Sequence, residues 1–136
     1  GIIVNCEIDG ICKSSGSYAL IAGISGRNQG TMELCINKAK ITGEAMYIAG
    51  IVAQNLSKVQ KCGNEGKINS TKSGYYVGGI TGLGNLDNSC IEESFNTGTL
   101  FIKTKKPGHI VVTIIVLLIL ARCKYKYVNW AKWNIK

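Results

Sequence analysis

Histidine and proline each occur once in this 136-residue chain, as His109 and Pro107, and acidic residues are half as numerous as basic ones, 8 against 16. Each scarcity excludes something. A Ser-His or Cys-His nucleophile system would have to use His109, and nothing around that residue resembles a nucleophile elbow. Glu92 and Glu93 are adjacent, so in a strand they face opposite sides and cannot act together as a glycosidase pair. The glycine-rich stretch TGLGN from Thr81 to Asn85 is followed by no Lys-Ser/Thr and no helix start, which argues against a phosphate loop. No segment before residue 109 carries a helical stripe with caps. The sequence therefore gives no catalytic, cofactor-binding or metal-ligating residues to name, and a non-enzymatic protein without cofactor is expected.

What is present is repetition. Leu20 to Ile41 reads LIAGISGRNQGTMELCINKAKI, Tyr47 to Ile68 reads YIAGIVAQNLSKVQKCGNEGKI, and Tyr76 to Leu100 reads YVGGITGLGNLDNSCIEESFNTGTL. A partial copy, IVNCEIDGIC, runs from Ile3 to Cys12. The small column Cys6, Cys35, Cys62, Ser94 fixes the register. Three residues earlier stand Ile3, Met32, Val59 and Ile91; two later stand Ile8, Asn37, Asn64 and Asn96; four later stand Gly10, Ala39, Gly66 and Gly98; six later stand Cys12, Ile41, Ile68 and Leu100. Ile24, Ile51 and Ile80 form a further column, and the third copy is longer, with an insertion near Leu86 to Ser89. A fixed period of this length marks a repeat architecture.

Short extended segments separated by Gly, Asn and Ser fit one coil of a β-solenoid per copy, with room for two or three short strands. The fold class expected is all-β: a parallel β-helix of about three to four coils, covering 1–108, with copies at about 1–16, 17–45, 46–74 and 75–108. Equivalent residues would stack at about 4.8 Å, so Asn37, Asn64 and Asn96 would form an amide stack and Ile24, Ile51 and Ile80 a dry ladder. The N-x-G steps at Asn64–Gly66 and Asn96–Gly98 read as corners, where glycine reaches positive φ without steric cost. The 17 glycines and few aromatics suit such turn-rich structure with a thin core.

These columns resemble the GLUG motif of bacterial surface proteins. The resemblance is strongest at Gly78-Gly79-Ile80-Thr81-Gly82 with Ser94-Phe95-Asn96-Thr97-Gly98. It is good at Ala49-Gly50-Ile51 with Cys62-Gly63-Asn64-Glu65-Gly66, weaker at Ala22-Gly23-Ile24-Ser25-Gly26 with Cys35-Ile36-Asn37, and covers about residues 3–102. It implies a right-handed β-helical module at the cell surface or secreted, found in adhesin-like proteins and beside the catalytic parts of bacterial immunoglobulin A1 proteases. It carries over no binding or catalytic residue.

Six cysteines invite a disulfide framework, yet Cys6, Cys35 and Cys62 share a column with Ser94, so the position calls for a small side chain. Cys12 replaces Ile41 and Ile68 as a small hydrophobe. With no CxxC and one histidine, tetrahedral zinc lacks converging ligands. Of the basic residues, Lys38, Lys58, Lys61 and Lys67 suit an outward adhesive face, and Tyr18, Tyr47, Tyr75 and Tyr76 an aromatic stripe that either stacks on sugars or packs against a neighbouring coil. Partners would be host or cell-surface glycans or proteins, engaged through repeated outward columns, and neighbouring repeats of a longer chain. The 1–108 region is only mildly basic, so no specific nucleic acid is implied.

After Lys103–Gly108 the pattern fades. Residues 109–136 hold five basic residues and no acid, and Ile110 to Ala121 is a 12-residue apolar run. Three readings stand: a membrane anchor too short as helix for about 30 Å of hydrocarbon, a degenerate last coil with His109 opposite Tyr76, or a tail left by a shifted reading frame. The chain opens inside a copy and without Met, which suggests a fragment of a longer array. The function expected is a non-catalytic structural or adhesive module of a bacterial surface or secreted protein. The alternatives are the accessory stalk of a larger secreted enzyme (a protease or a polysaccharide-active one), or a small protein anchored through 110–121.

Overall fold

A computed structural model describes residues 1–71, 76–84 and 89–102, and the two strands Val111–Val112 and Trp133–Ile135. Among the described residues there is no helix. The chain winds as a β-solenoid, with five short strands to each turn rather than two or three. The first turn holds β1 (Ile2–Val4), β2 (Glu7–Ile8), β3 (Ile11–Ser15), β4 (Leu20–Ala22) and β5 (Ser25–Asn28). The second holds β6 (Thr31–Glu33), β7 (Ile36–Asn37), β8 (Lys40–Glu44), β9 (Tyr47–Ala49) and β10 (Val52–Asn55). The third holds β11 (Lys58–Gln60), β12 (Gly63–Asn64), β13 (Ile68–Ser70), β14 (Tyr76–Gly78) and β15 (Thr81–Gly84). Beyond them lie β16 (Cys90–Glu92), β17 (Phe95–Asn96), β18 (Leu100–Ile102), β19 (Val111–Val112) and β20 (Trp133–Ile135).

Each strand pairs in parallel with its counterpart one turn away, which makes five narrow sheets, or faces, running along the stack. The first is β1-β6-β11-β16, the second β2-β7-β12-β17, the third β3-β8-β13-β18-β20, the fourth β4-β9-β14-β19 and the fifth β5-β10-β15. Their registers follow the sequence columns: Ile3, Met32, Val59 and Ile91 lie opposite one another, as do Ile8, Asn37, Asn64 and Asn96. Ile24 N–H donates to Ile51 O at 3.1 Å and Ile51 N–H to Ile80 O at 3.2 Å, so the isoleucine ladder is also in place. Val111 pairs with Tyr76, two residues out of the register that set His109 there. Trp133–Ile135 pairs in parallel with Leu100–Ile102. Otherwise the three readings of the tail, the insertion at 86–88 and the apolar run 110–121 fall outside the described residues, save for Val111, Val112 and Ser89.

The interior has two apolar lobes. One gathers Met32, Cys35, Ile51, Val52, Val59, Cys62, Ile80 and Ile91; the other gathers Ile21, Ile41, Ala45, Ile48, Ile68, Val77 and Leu100. Between them runs the amide stack. Asn37 Nδ2 donates to Asn64 Oδ1 at 2.6 Å, and Asn64 Nδ2 to Asn96 Oδ1 at 2.7 Å. Gly23, Gly50 and Gly79 lie flat against Asn37, Asn64 and Asn96 across the interior, and a Cβ on any of them would collide with the facing amide. The recurring glycine before each isoleucine is thus a space requirement set by an asparagine on the opposite wall. Burying these amides is tolerable because each is bonded along the stack, and Asn37 and Asn64 also to their own turn.

Glycine at the N-x-G corners has a different role from the one expected. Gly66 and Gly98 do not take positive φ; a Cβ at Gly66 would strike the Ala39 carbonyl, and one at Gly98 that of Gly66. The left-handed residue of each turn comes earlier, at Asn5 (φ 56°), Leu34 (φ 55°), Lys61 (φ 51°) and Glu93 (φ 45°), between the first and second faces. The small column follows directly. Cys35 Sγ donates to Glu33 O at 3.3 Å, Cys62 Sγ to Gln60 O at 3.2 Å and Ser94 Oγ to Glu92 O at 2.8 Å. Cysteine and serine interchange here because the corner takes a small side chain that is also a donor.

Candidate binding faces

The four lysines singled out for an adhesive face are engaged within the stack. Lys38 Nζ lies 2.8 Å from Glu7 Oε1, Lys58 Nζ 3.1 Å from Glu92 Oε2 and Lys61 Nζ 3.8 Å from Glu33 Oε1, each pair joining one turn to the next. The Glu7 carboxylate beside Lys38 raises its pKa above the usual lysine value, chiefly through their hydrogen bond. Lys67 sits over the Phe101 ring, 4.3 Å from its centre, again one turn on. Arg27 Nε donates to Gln54 Oε1 at 2.8 Å along the fifth face. Among the described residues Lys13 and Lys40, on the third face, form no ion pair.

The aromatic stripe is likewise inward-looking in its chemistry. Tyr47 and Tyr76 occupy the same column and pack against each other, with ring centres 5.3 Å apart and planes 49° apart. Leu20 holds this position in the first turn. Tyr18 lies outside the column and is 85% exposed, and Tyr75 lies outside the described residues. Coil-to-coil packing accounts for the tyrosine pair.

The remaining candidates resolve in the same way. Glu92 ends β16 and pairs with Lys58, whereas Glu93 is the left-handed corner residue. Thr81–Gly84 is strand β15, not a loop. Among the described residues no three His, Cys, Asp or Glu side chains come close enough to share a metal ion. Cys6, Cys12, Cys35 and Cys62 are free thiols. Cys62 is enclosed in the first lobe, and loss of hydration pushes its pKa up to about 12.

Two features escaped the sequence reading. A second amide pair, Asn28 Nδ2 to Asn55 Oδ1 at 2.9 Å, closes the corner between the fifth and first faces. Its signal was available, since these asparagines stand one turn apart, but the third turn has Gly84 there and the column is incomplete. The other is Gly26, Ala53 and Gly82, whose small size lets the fifth face lie close against the fourth. Compared with known proteins, the chain matches no family model, no curated sequence and no solved structure.

Proposed function

We propose that this chain is a structural spacer of a bacterial surface or secreted protein, with no chemistry of its own. One observation carries the reading: seven outward charged and aromatic side chains among the described residues are paired from turn to turn. Lys38, Lys58, Lys61, Lys67, Arg27 and the tyrosines Tyr47 and Tyr76 tie neighbouring turns together. A surface built this way resists sliding and bending between coils while presenting few unsatisfied groups to a ligand. Extracellular placement rests on the GLUG-like columns. An adhesive role would instead use the third face, where Lys13 and Lys40 form no ion pair among the described residues. The accessory-stalk reading is the same physics attached to a catalytic neighbour.

The spacer reading is tested with arrays in which the second turn is duplicated. X-ray scattering should show the particle lengthening by about 4.8 Å per added turn at constant cross-section. Glycan-array and cell-binding assays should show no specific ligand. Specific binding abolished by Lys13→Ala and Lys40→Ala would overturn the spacer reading in favour of an adhesive face. Labelling of intact source cells should detect the protein outside, and confinement to the cytosol would remove the surface assignment.

A further inference from the structure

The tripeptide Asn-x-Ser/Thr occurs twice in the chain, as Asn55-Leu56-Ser57 and Asn69-Ser70-Thr71. It is the acceptor pattern for linking a sugar to an asparagine amide. The fold separates the two copies. Asn55 is closed off, fully buried at the corner between the fifth and first faces. Its Nδ2 donates to Ser57 O at 2.8 Å, and its Oδ1 accepts from Asn28 Nδ2 at 2.9 Å. A sugar on that nitrogen would have to take the corner apart.

Asn69 is the opposite case. It lies in β13 between Ile68 and Ser70, both buried, so alternation along the strand turns its side chain outward. Thr71, two residues on, is exposed as well, while its N–H stays in the ladder, donating to Gly43 O at 3.0 Å. β13 is paired on both sides, with β8 and β18, so this outward setting belongs to the interior of the stack and not to an end of it. A second observation falls at the same place. Thr42 stands opposite Asn69 one turn away, and among the described residues its Oγ1 is the buried side-chain polar atom left without a hydrogen-bond partner. Such an orphan calls for an explanation. A sugar linked to Asn69 brings hydroxyl groups to this part of the third face, where they can donate to it.

We propose that Asn69 is an N-glycosylation site. The donor is a phosphate-activated sugar, nucleotide-linked or lipid-linked, presented by a glycosyltransferase that reads the Asn69 amide and the Thr71 hydroxyl. Asn69 Nδ2 forms a bond to the anomeric carbon of the sugar. The bond from that carbon to the phosphate oxygen breaks, and the phosphate leaves with the electron pair. One amide proton is released, and no electron is transferred. The sugar is bulky and hydrated, and an outward position accommodates it without disturbing the turns. The acceptor is defined by one strand, so it stands independently of the spacer reading.

The experiment takes the full chain from source cells, digests it with trypsin and examines the peptides holding Asn55 and Asn69 by mass spectrometry. Asn69 should carry a sugar and Asn55 none. A single hexose identifies a nucleotide-linked donor and a preassembled oligosaccharide a lipid-linked one; both support the site. Thr71→Ala, expressed in the same cells, should lose the modification, Thr71→Ser should keep it, and Ser57→Ala should leave it unchanged. Ser57 engages Asn55 only through its backbone, so this control keeps the corner, and circular dichroism checks that each variant folds. A bare Asn69 in the wild type, a sugar at Asn55, or a sugar at Asn69 that persists in Thr71→Ala would each overturn the assignment. A modified chain confined to the cytosol would remove the surface placement and still support the acceptor.

Discussion

Asn64 is bonded on every side. It accepts from Asn37 Nδ2, and its own Nδ2 reaches both Asn96 Oδ1 and, at 3.1 Å, Gly66 O. Asn64→Ala removes the middle of the stack and strands buried partners on either side. It should destabilise the protein by about 2–4 kcal/mol in urea unfolding, whereas Asn69→Ala, half-exposed on the third face, should stay within about 0.5 kcal/mol. Equal losses would mean that the amide stack contributes nothing particular. Cys62 offers a pH test. Its thiol is held neutral in the fold up to about pH 12, while in the unfolded chain it ionises near its ordinary value of 9.0. The stabilising difference is intact below about pH 9 and is lost as pH rises toward 12, by at most about 1.4 kcal/mol per unit. Cys62→Ser, measured beside the wild type, should show a shallower alkaline decline; parallel curves would contradict the burial argument. Lysines and tyrosines titrate in the same range, so only the difference between the two proteins is informative.

The corner between the first and second faces repeats four times with a left-handed residue, yet Asn5, Leu34, Lys61 and Glu93 share no chemistry. A non-glycine residue there costs roughly 1–2 kcal/mol, of which glycine would return part against its own entropy. Leu34→Gly, at a site that is 45% exposed, should therefore be neutral or stabilising by up to about 1 kcal/mol in thermal or urea melts. A loss of more than about 1 kcal/mol would place the Leu34 side chain, not its backbone, in control. This corner also shows what a sequence can and cannot disclose. Ile3, Met32, Val59 and Ile91 were legible as a column because they face inward and share a type, and Asn37, Asn64 and Asn96 because each amide meets its like one turn away. Positive φ is demanded of the backbone and leaves no mark on the side chain, so Leu34 and Lys61 could not announce it. Likewise β2, β7, β12 and β17 are two residues long, too short for any alternation, which is why five strands per turn read as two or three. The N-x-G glycines were visible, but their reason was crowding by the adjacent turn, a fact about a neighbour 27 or more residues away.

A stack in which each turn bonds only to its neighbours does not unfold as a globule does. The first turn is paired on one side only, and Ile2, Val4 and Ile11 at its rim are exposed. Amide hydrogens of β1–β5 should exchange fastest among the first three turns, and those of β6–β12 slowest; uniform protection would indicate a single cooperative unit. The lysine pairs that join the turns are half-exposed and screened by solvent, so the hydrogen-bonded faces set the order of protection. The amide stack adds a sense of direction. The Nδ2 groups of Asn37 and Asn64 point the same way along it, toward Asn96, and Ile8 stands in the place behind Asn37. A tract copied from one asparagine to the next, 27 residues in the second turn, would slot in with its donor meeting an acceptor and its acceptor meeting a donor. Gene duplication can thus lengthen this protein one turn at a time without repairing a seam, but only on the far side of Ile8.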